Sequence, residues 1–159
     1  MKLNLACSRD IKEGYVNLDL RRLNGTKVDI LANALYLPFQ SNVFEEIYCC
    51  NFLEHLSYKE LLPALREMKR VLQLGGVLKL CVPDFSRIAH AWLYCDKMRK
   101  IDWWNWAIFG GQVYPDDIHR CALDEDVMCI ILKETGFTSV SFSYDTTPGQ
   151  EFWLWMEVY

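Results

Sequence analysis

The stretch "LPFQSNVFEEIYCCNFLEHLSYKELLPALREMKRVLQLGGVLKLCVPD", residues 37–84, decides how this chain is read. It opens on a turn, runs through a short apolar segment at "EIYCC" (46–50), and then changes period. Leu61, Leu62, Leu65, Met68, Val71 and Leu72 recur at helical spacing, which predicts a helix with one apolar face. Pro63 suits the first turn, where a missing N–H is no loss, with "SYKE" as a lead-in. Gly75-Gly76 is expected to stop the helix. "VLKLCV" (77–82) is the next strand, ended by Pro83-Asp84. A strand, a crossover helix and a second strand make the repeating unit of a parallel sheet.

Working outward, three short apolar runs precede this unit: "KLNLA" (2–6), "YVNLDL" (15–20) and "KVDIL" (27–31). Such runs suit strands of a parallel sheet covered on both faces. Beyond it, residues 85–111 read as a helix followed by a tryptophan-rich stretch, "WWNW" (103–106). "LDEDVMCIILKETGF" (123–137) is a further helix, with Asp124 as its cap, acids in its first turn, Lys133 near its end and Gly136 as its stop. "SVSFSYD" (139–145) alternates as a half-exposed strand, "TTPGQ" (146–150) is a turn, and "EFWLWMEVY" (151–159) is a closing strand. The expected fold is therefore α/β: one domain over residues 1–159, with a doubly wound, mostly parallel sheet, helices on both faces and an antiparallel C-terminal strand. Only residues 7–14 separate the first two strands, too few for the usual first helix.

Composition narrows the function. With 159 residues, 52% hydrophobic and 24% charged, the chain can bury a core and is not of the disordered class. A net charge of -4, with bases interleaved among acids, argues against a nucleic-acid partner. No apolar run reaches the ~18 residues of a membrane span, and the N-terminus carries no signal-peptide pattern. The seven cysteines include no CxxC pair, so neither a zinc site nor a thioredoxin-type motif is expected. Thiols within apolar runs point to a reducing, cytoplasmic compartment.

The ordered set "LPF", "FEEI", "LEH", "EMKRVLQLGGVL" and "PD" resembles the class I S-adenosylmethionine-dependent methyltransferases, and the resemblance extends over nearly the whole chain. The tail "FGGQ…DDIHR…LKETGF" is similar to that of small members. The resemblance implies S-adenosylmethionine as cofactor and methyl transfer to oxygen or nitrogen of a small molecule or glycan. Ligands of such sheets lie outside the carboxyl ends of the strands, where strand order reverses. The family layout then places the cofactor against Ala6, Cys7 and Ser8 of the first turn. Asp19 is implied to hold both ribose hydroxyls, the alternative being a solvated loop acid. Asn33 is implied at the adenine amino group, with Ala34 and Leu35 beside it, or is simply a turn former. Cys50 and Asn51 are implied at the methionine part and the methyl group. Some small-molecule O-methyltransferases of this fold use an acid–histidine pair like Glu54-His55 in a metal site, but with another acid where this chain has Asn51. The pair is therefore read as holding loops together, and no metal is expected.

Ala6 and Ser8 stand where the family has glycines. Alanine at positive φ costs about 1 kcal/mol, so a weakened cofactor site is expected. The alternative is a catalytically silent methyltransferase-like protein, acting as an oligomer subunit or partner-binding module. For catalysis the expected general base is His119, in a loop after Asp116-Asp117, since imidazole titrates near neutrality. Asp84 is the second choice, and His90 is read as core. The "WWNW" cluster either lines an acceptor pocket or serves as core packing or a homodimer surface.

Overall fold

The computed structural model describes residues 1–95, 98, 101, 103–145 and 152–159. The strands are β1 (Lys2–Leu5), β2 (Tyr15–Asp19), β3 (Ile30–Leu31), β4 (Phe44–Cys50), β5 (Leu72–Pro83), β6 (Val140–Tyr144) and β7 (Trp153–Val158). The helices are α1 (Leu61–Val71), α2 (Phe85–Tyr94), α3 (Trp103–Phe109) and α4 (Glu125–Glu134), and a single 3-10 turn covers Leu53–His55. One seven-stranded sheet runs in the order β3-β2-β1-β4-β5-β7-β6. β1 to β5 pair in parallel, and β7 is antiparallel to both β5 and β6. The order reverses between β1 and β4, which puts a crevice at their carboxyl ends.

Alternation along the strands sorts the two faces. Leu3, Leu5, Leu18, Ile47, Cys49, Leu78, Leu80 and Met156 point to one side, where Leu65 and Met68 of α1 and Met128 and Leu132 of α4 complete the main core. The other face carries Lys2, Asn4, Tyr15, Asn17, Glu46, Tyr48 and Lys79 in the matching register. Glu46 accepts the Tyr15 hydroxyl and pairs with Lys79 at 3.1 Å and Lys2 at 3.8 Å. Helix cover is thus uneven. The reason lies in the connections: residues 7–14, 20–29 and 32–43 form no helix. In place of a first helix, the 7–14 crossover is stapled by asparagines. Asn4 donates to the Asp10 carbonyl at 2.6 Å and to Asn17 Oδ1 at 2.9 Å, and Asn17 Oδ1 accepts the Lys12 N–H at 2.9 Å.

Several boundaries differ from the sequence reading. The strand expected at 27–31 is only Ile30–Leu31, because the Asp29 carboxylate takes the Asn17 N–H at 2.8 Å and Arg22 takes the Val28 carbonyl. Gly75-Gly76 do not stop α1. Leu72 is already extended, with φ -74° and ψ 136°, and begins β5. The glycines instead form a bulge, since Phe44 pairs with Leu72 and Glu46 with Val77. A Cβ at Gly76 would lie 3.0 Å from the Glu45 carbonyl oxygen. The turn read at 146–150 falls outside the described residues.

Asp124 caps α4 as expected, accepting the Val127 N–H at 3.0 Å and the Ser86 hydroxyl at 2.6 Å. The Ser86 hydroxyl, with the Val127 N–H behind it, holds this carboxyl below its ordinary range. A depressed carboxylate stabilises the fold above its unfolded pKa, and that contribution is lost as pH falls through the folded value. Asp124→Ala should therefore cost about 1 kcal/mol at pH 7. The gap from the parent should narrow at pH 3, as read by urea unfolding at both values; an equal gap at both would assign the loss to packing alone.

Candidate active site

The crevice is built from backbone forced into unusual conformations. Ala6 has φ 55° and Ser8 φ 46° after β1, and Asn51 has φ 52° after β4. The region favours glycine, so all three residues carry local strain. Asp19, ending β2, braces this turn: its carboxylate accepts the Ser8 N–H at 2.8 Å and the Arg21 N–H at 3.1 Å. Each carboxylate oxygen keeps a further acceptor position.

Two adjoining cavities share Ala6, Ser8, Asn51, His55 and Tyr114. The first adds Asp19, Asn33, Ala34 and Leu35, and the second adds Cys7, Cys50 and His119. Every residue expected at the cofactor thus lines one cavity or the other. Asn33 also forms a turn, its amide oxygen accepting the Leu35 N–H at 2.9 Å. Asp84 is elsewhere: it is 2% exposed, caps α2 through the Arg87 N–H at 3.0 Å, and accepts the Tyr144 hydroxyl at 2.7 Å. It lines neither cavity, so it is not placed to act as a base. His90 is exposed beside Tyr94 rather than core. The tryptophan cluster divides. Trp104 packs with Ile88 and Ala107 in a second small core, whereas Trp106 lines the second cavity against Trp153 at 6.4 Å between ring centroids.

The loop carrying His119 is locked to the 3-10 turn. Arg120 N–H donates to the Glu54 carbonyl at 2.7 Å, and His119 N–H to the Phe109 carbonyl at 3.1 Å. Gly110, at φ 84°, permits this approach, for a Cβ there would meet the Asp117 carbonyl oxygen at 2.7 Å. His55 Nδ1 lies 3.2 Å from the Ile118 carbonyl and His119 Nδ1 3.1 Å from that of Ala107, with the rings edge-on at 5.0 Å. Burial lowers the pKa of both imidazoles, and His55 lowers that of His119 further. Beneath them Glu54 is 1% exposed, and neither carboxylate oxygen has a hydrogen-bond partner. Burial pushes its carboxyl up to about 8.

Sequence reasoning missed the depth of Glu54, because "LEH" before a helix reads equally well as surface. It also missed the Arg21 strap over the first cavity. The guanidinium sits 3.9 Å from the Tyr114 ring centroid and 3.3 Å from Asp116. The only available signal was a base just after Asp19.

Residues 6–80 match a protein family described as a methyltransferase domain. Across 99% of the chain, the fold superposes on 69% of the Burkholderia thailandensis 1,6-didemethyltoxoflavin-N1-methyltransferase, with a TM-score of 0.67 and 15% identity. That enzyme was solved with 1,6-didemethyltoxoflavin and S-adenosylhomocysteine bound. The chain belongs to the class I S-adenosylmethionine-dependent methyltransferase family. Among curated relatives, this methyltransferase-family chain is 29% identical over 145 residues to the ubiquinone/menaquinone biosynthesis C-methyltransferase of a Shewanella species, covering 84% of the chain and 54% of that enzyme. It is 37% identical over 78 residues to an uncharacterized protein of Methanocaldococcus jannaschii, covering 47% of the chain and 33% of that protein. The methyltransferase-family chain therefore spans between a third and about half the length of these relatives. Among the described residues no helix is long and apolar enough to cross a membrane.

Proposed function

We propose that the chain transfers a methyl group from S-adenosylmethionine to oxygen or nitrogen of a small molecule or glycan. The observation that carries this reading is the meeting of the braced Asp19 carboxylate, the Ala6–Ser8 turn and Asn51 along two adjoining cavities. When bound, the cofactor supplies a sulfonium methyl whose transfer returns the bonding pair to sulfur as a neutral thioether. Asp19, with its remaining acceptor positions, suits a pair of ribose hydroxyls, and Ala34 and Leu35 offer an apolar wall to adenine. In-line displacement needs alignment above all, and the rigid strand ends supply it.

The second cavity suits the acceptor. Tyr48, Trp106 and Trp153 present aromatic faces there, and Asp10 and Asp117 present carboxylates. That combination fits a sugar or hydroxylated ring, stacked on one side and hydrogen-bonded on the other. His119 is the proposed group that activates the acceptor, its Nε2 presented because Nδ1 faces the Ala107 carbonyl. Calorimetric titration with S-adenosylmethionine and S-adenosylhomocysteine tests the reading. Saturable binding of both is expected, and binding of neither would leave the fold without this function.

The strained turn gives a second expectation. Ala6→Gly should remove about 1 kcal/mol of left-handed strain and bind cofactor equally or more tightly. Ser8→Gly should do the same by calorimetry unless the hydroxyl is itself a ligand, in which case affinity drops clearly.

A further inference from the structure

We propose that Glu54, His55 and His119 bind a divalent first-row transition-metal ion at the acceptor cavity. All three line that cavity, and one donor atom from each lies within 4.8 Å of the others. Metal bonds of about 2.0–2.2 Å set neighbouring ligands roughly 3 Å apart, so modest side-chain rotation closes the set.

Three further features point the same way. The Glu54 carboxylate is 1% exposed, has no hydrogen-bond partner on either oxygen and faces two imidazoles. A buried acid left without a partner is costly, and an ion supplies the missing one. Each imidazole has its Nδ1 against a backbone carbonyl, of Ile118 and of Ala107, which fixes the tautomer and offers the Nε2 lone pair. The backbone bond from Arg120 to Glu54 ties the distal histidine to the 3-10 turn, so the set is held before any ion arrives. Two imidazoles and one carboxylate favour iron, cobalt, manganese or zinc over magnesium or calcium, which take oxygen ligands. This ligand set uses His119, far along the chain, and needs no acid at Asn51. The location at an acceptor cavity rests on the function proposed above, but ion binding does not. There the ion would hold the acceptor oxygen and favour loss of its proton, so His119 would act on the acceptor through it.

Cobalt(II) titration of the full chain, followed by visible absorption, tests the proposal. About one equivalent should bind, giving ligand-field bands without a thiolate charge-transfer band. Glu54→Gln and His119→Asn should each weaken it at least tenfold, with circular dichroism confirming the fold; if Glu54→Gln does not fold, His119→Asn decides. No binding, binding unchanged in the folded variants, or a thiolate band from Cys50 or its neighbours would each overturn the site. Cofactor calorimetry on the same samples separates the two readings. Cofactor binding without cobalt binding removes the ion alone. Cobalt binding without cofactor binding removes the methyltransferase reading and leaves the ion site standing.

Discussion

His119→Ala is expected to lose roughly 10²–10⁴ in methyl-transfer turnover, the usual worth of a positioned activating group, while cofactor affinity stays at the parent value. The separation follows from geometry. His119 lines the second cavity and not the first, where Asp19 and the Ala34–Leu35 wall lie. The side chain is not a pillar of the main core, so a folded variant is expected. Its backbone N–H to the Phe109 carbonyl survives the substitution. Only the Nδ1 contact with the Ala107 carbonyl is lost. Single-turnover rates with a methylated acceptor, set beside calorimetry for the cofactor, measure the two effects apart. Near-parental turnover would remove His119 from the mechanism. No other acid or base was expected there, because Asp84 is committed to capping α2.

Asp19→Ala should weaken S-adenosylmethionine by about 1.5–3 kcal/mol, the worth of hydrogen bonds to a charged group. Part of that loss is indirect. The same carboxylate holds the Ser8 and Arg21 N–H groups, so its removal also frees a turn already strained at Ala6 and Ser8. Asp19→Asn distinguishes the contributions, since it keeps one oxygen to brace the turn while removing the charge. If affinity falls equally in both, charge on the ribose side dominates. If asparagine restores most of it, bracing dominates. A variant with alanine that binds like the parent would mean the cofactor lies elsewhere.

How much of this was legible beforehand depended on whether a signal was local. The α1 and α4 faces follow from periodicity, and the Asp124 cap follows from one residue beside acids. Asp19, Asn51 and the Ala6–Ser8 turn were readable because strand ends in a parallel sheet share one crevice whatever the details. The fates of Asp84 and Gly75-Gly76 were not. Asp84 ends a strand, as a catalytic acid would, and only Tyr144, distant in sequence, reveals that it is consumed. A glycine pair after a helix looks like a stop, and the bulge appears only once β5 is paired with β4. Glu54 shows the limit most plainly, because burial of an acid is set by what folds over it, here the 118–121 segment.

The uneven helix cover has a consequence for how the molecule opens. Strands β4, β5 and β7 lie mid-sheet against α1 and α4, whereas β3 is two residues long, and β2 and β3 are joined to their neighbours by loops. Local opening free energies scale with such packing. Amide hydrogen exchange should therefore be slowest in β4 and β5 and fastest along β2 and β3. Those fast strands are the ones that carry Asp19 and lead to Asn33. A ligand in the first cavity would bind the closed form and draw that population up by mass action. The asparagine staple through Asn4 and Asn17 then sets the resting balance between open and closed forms.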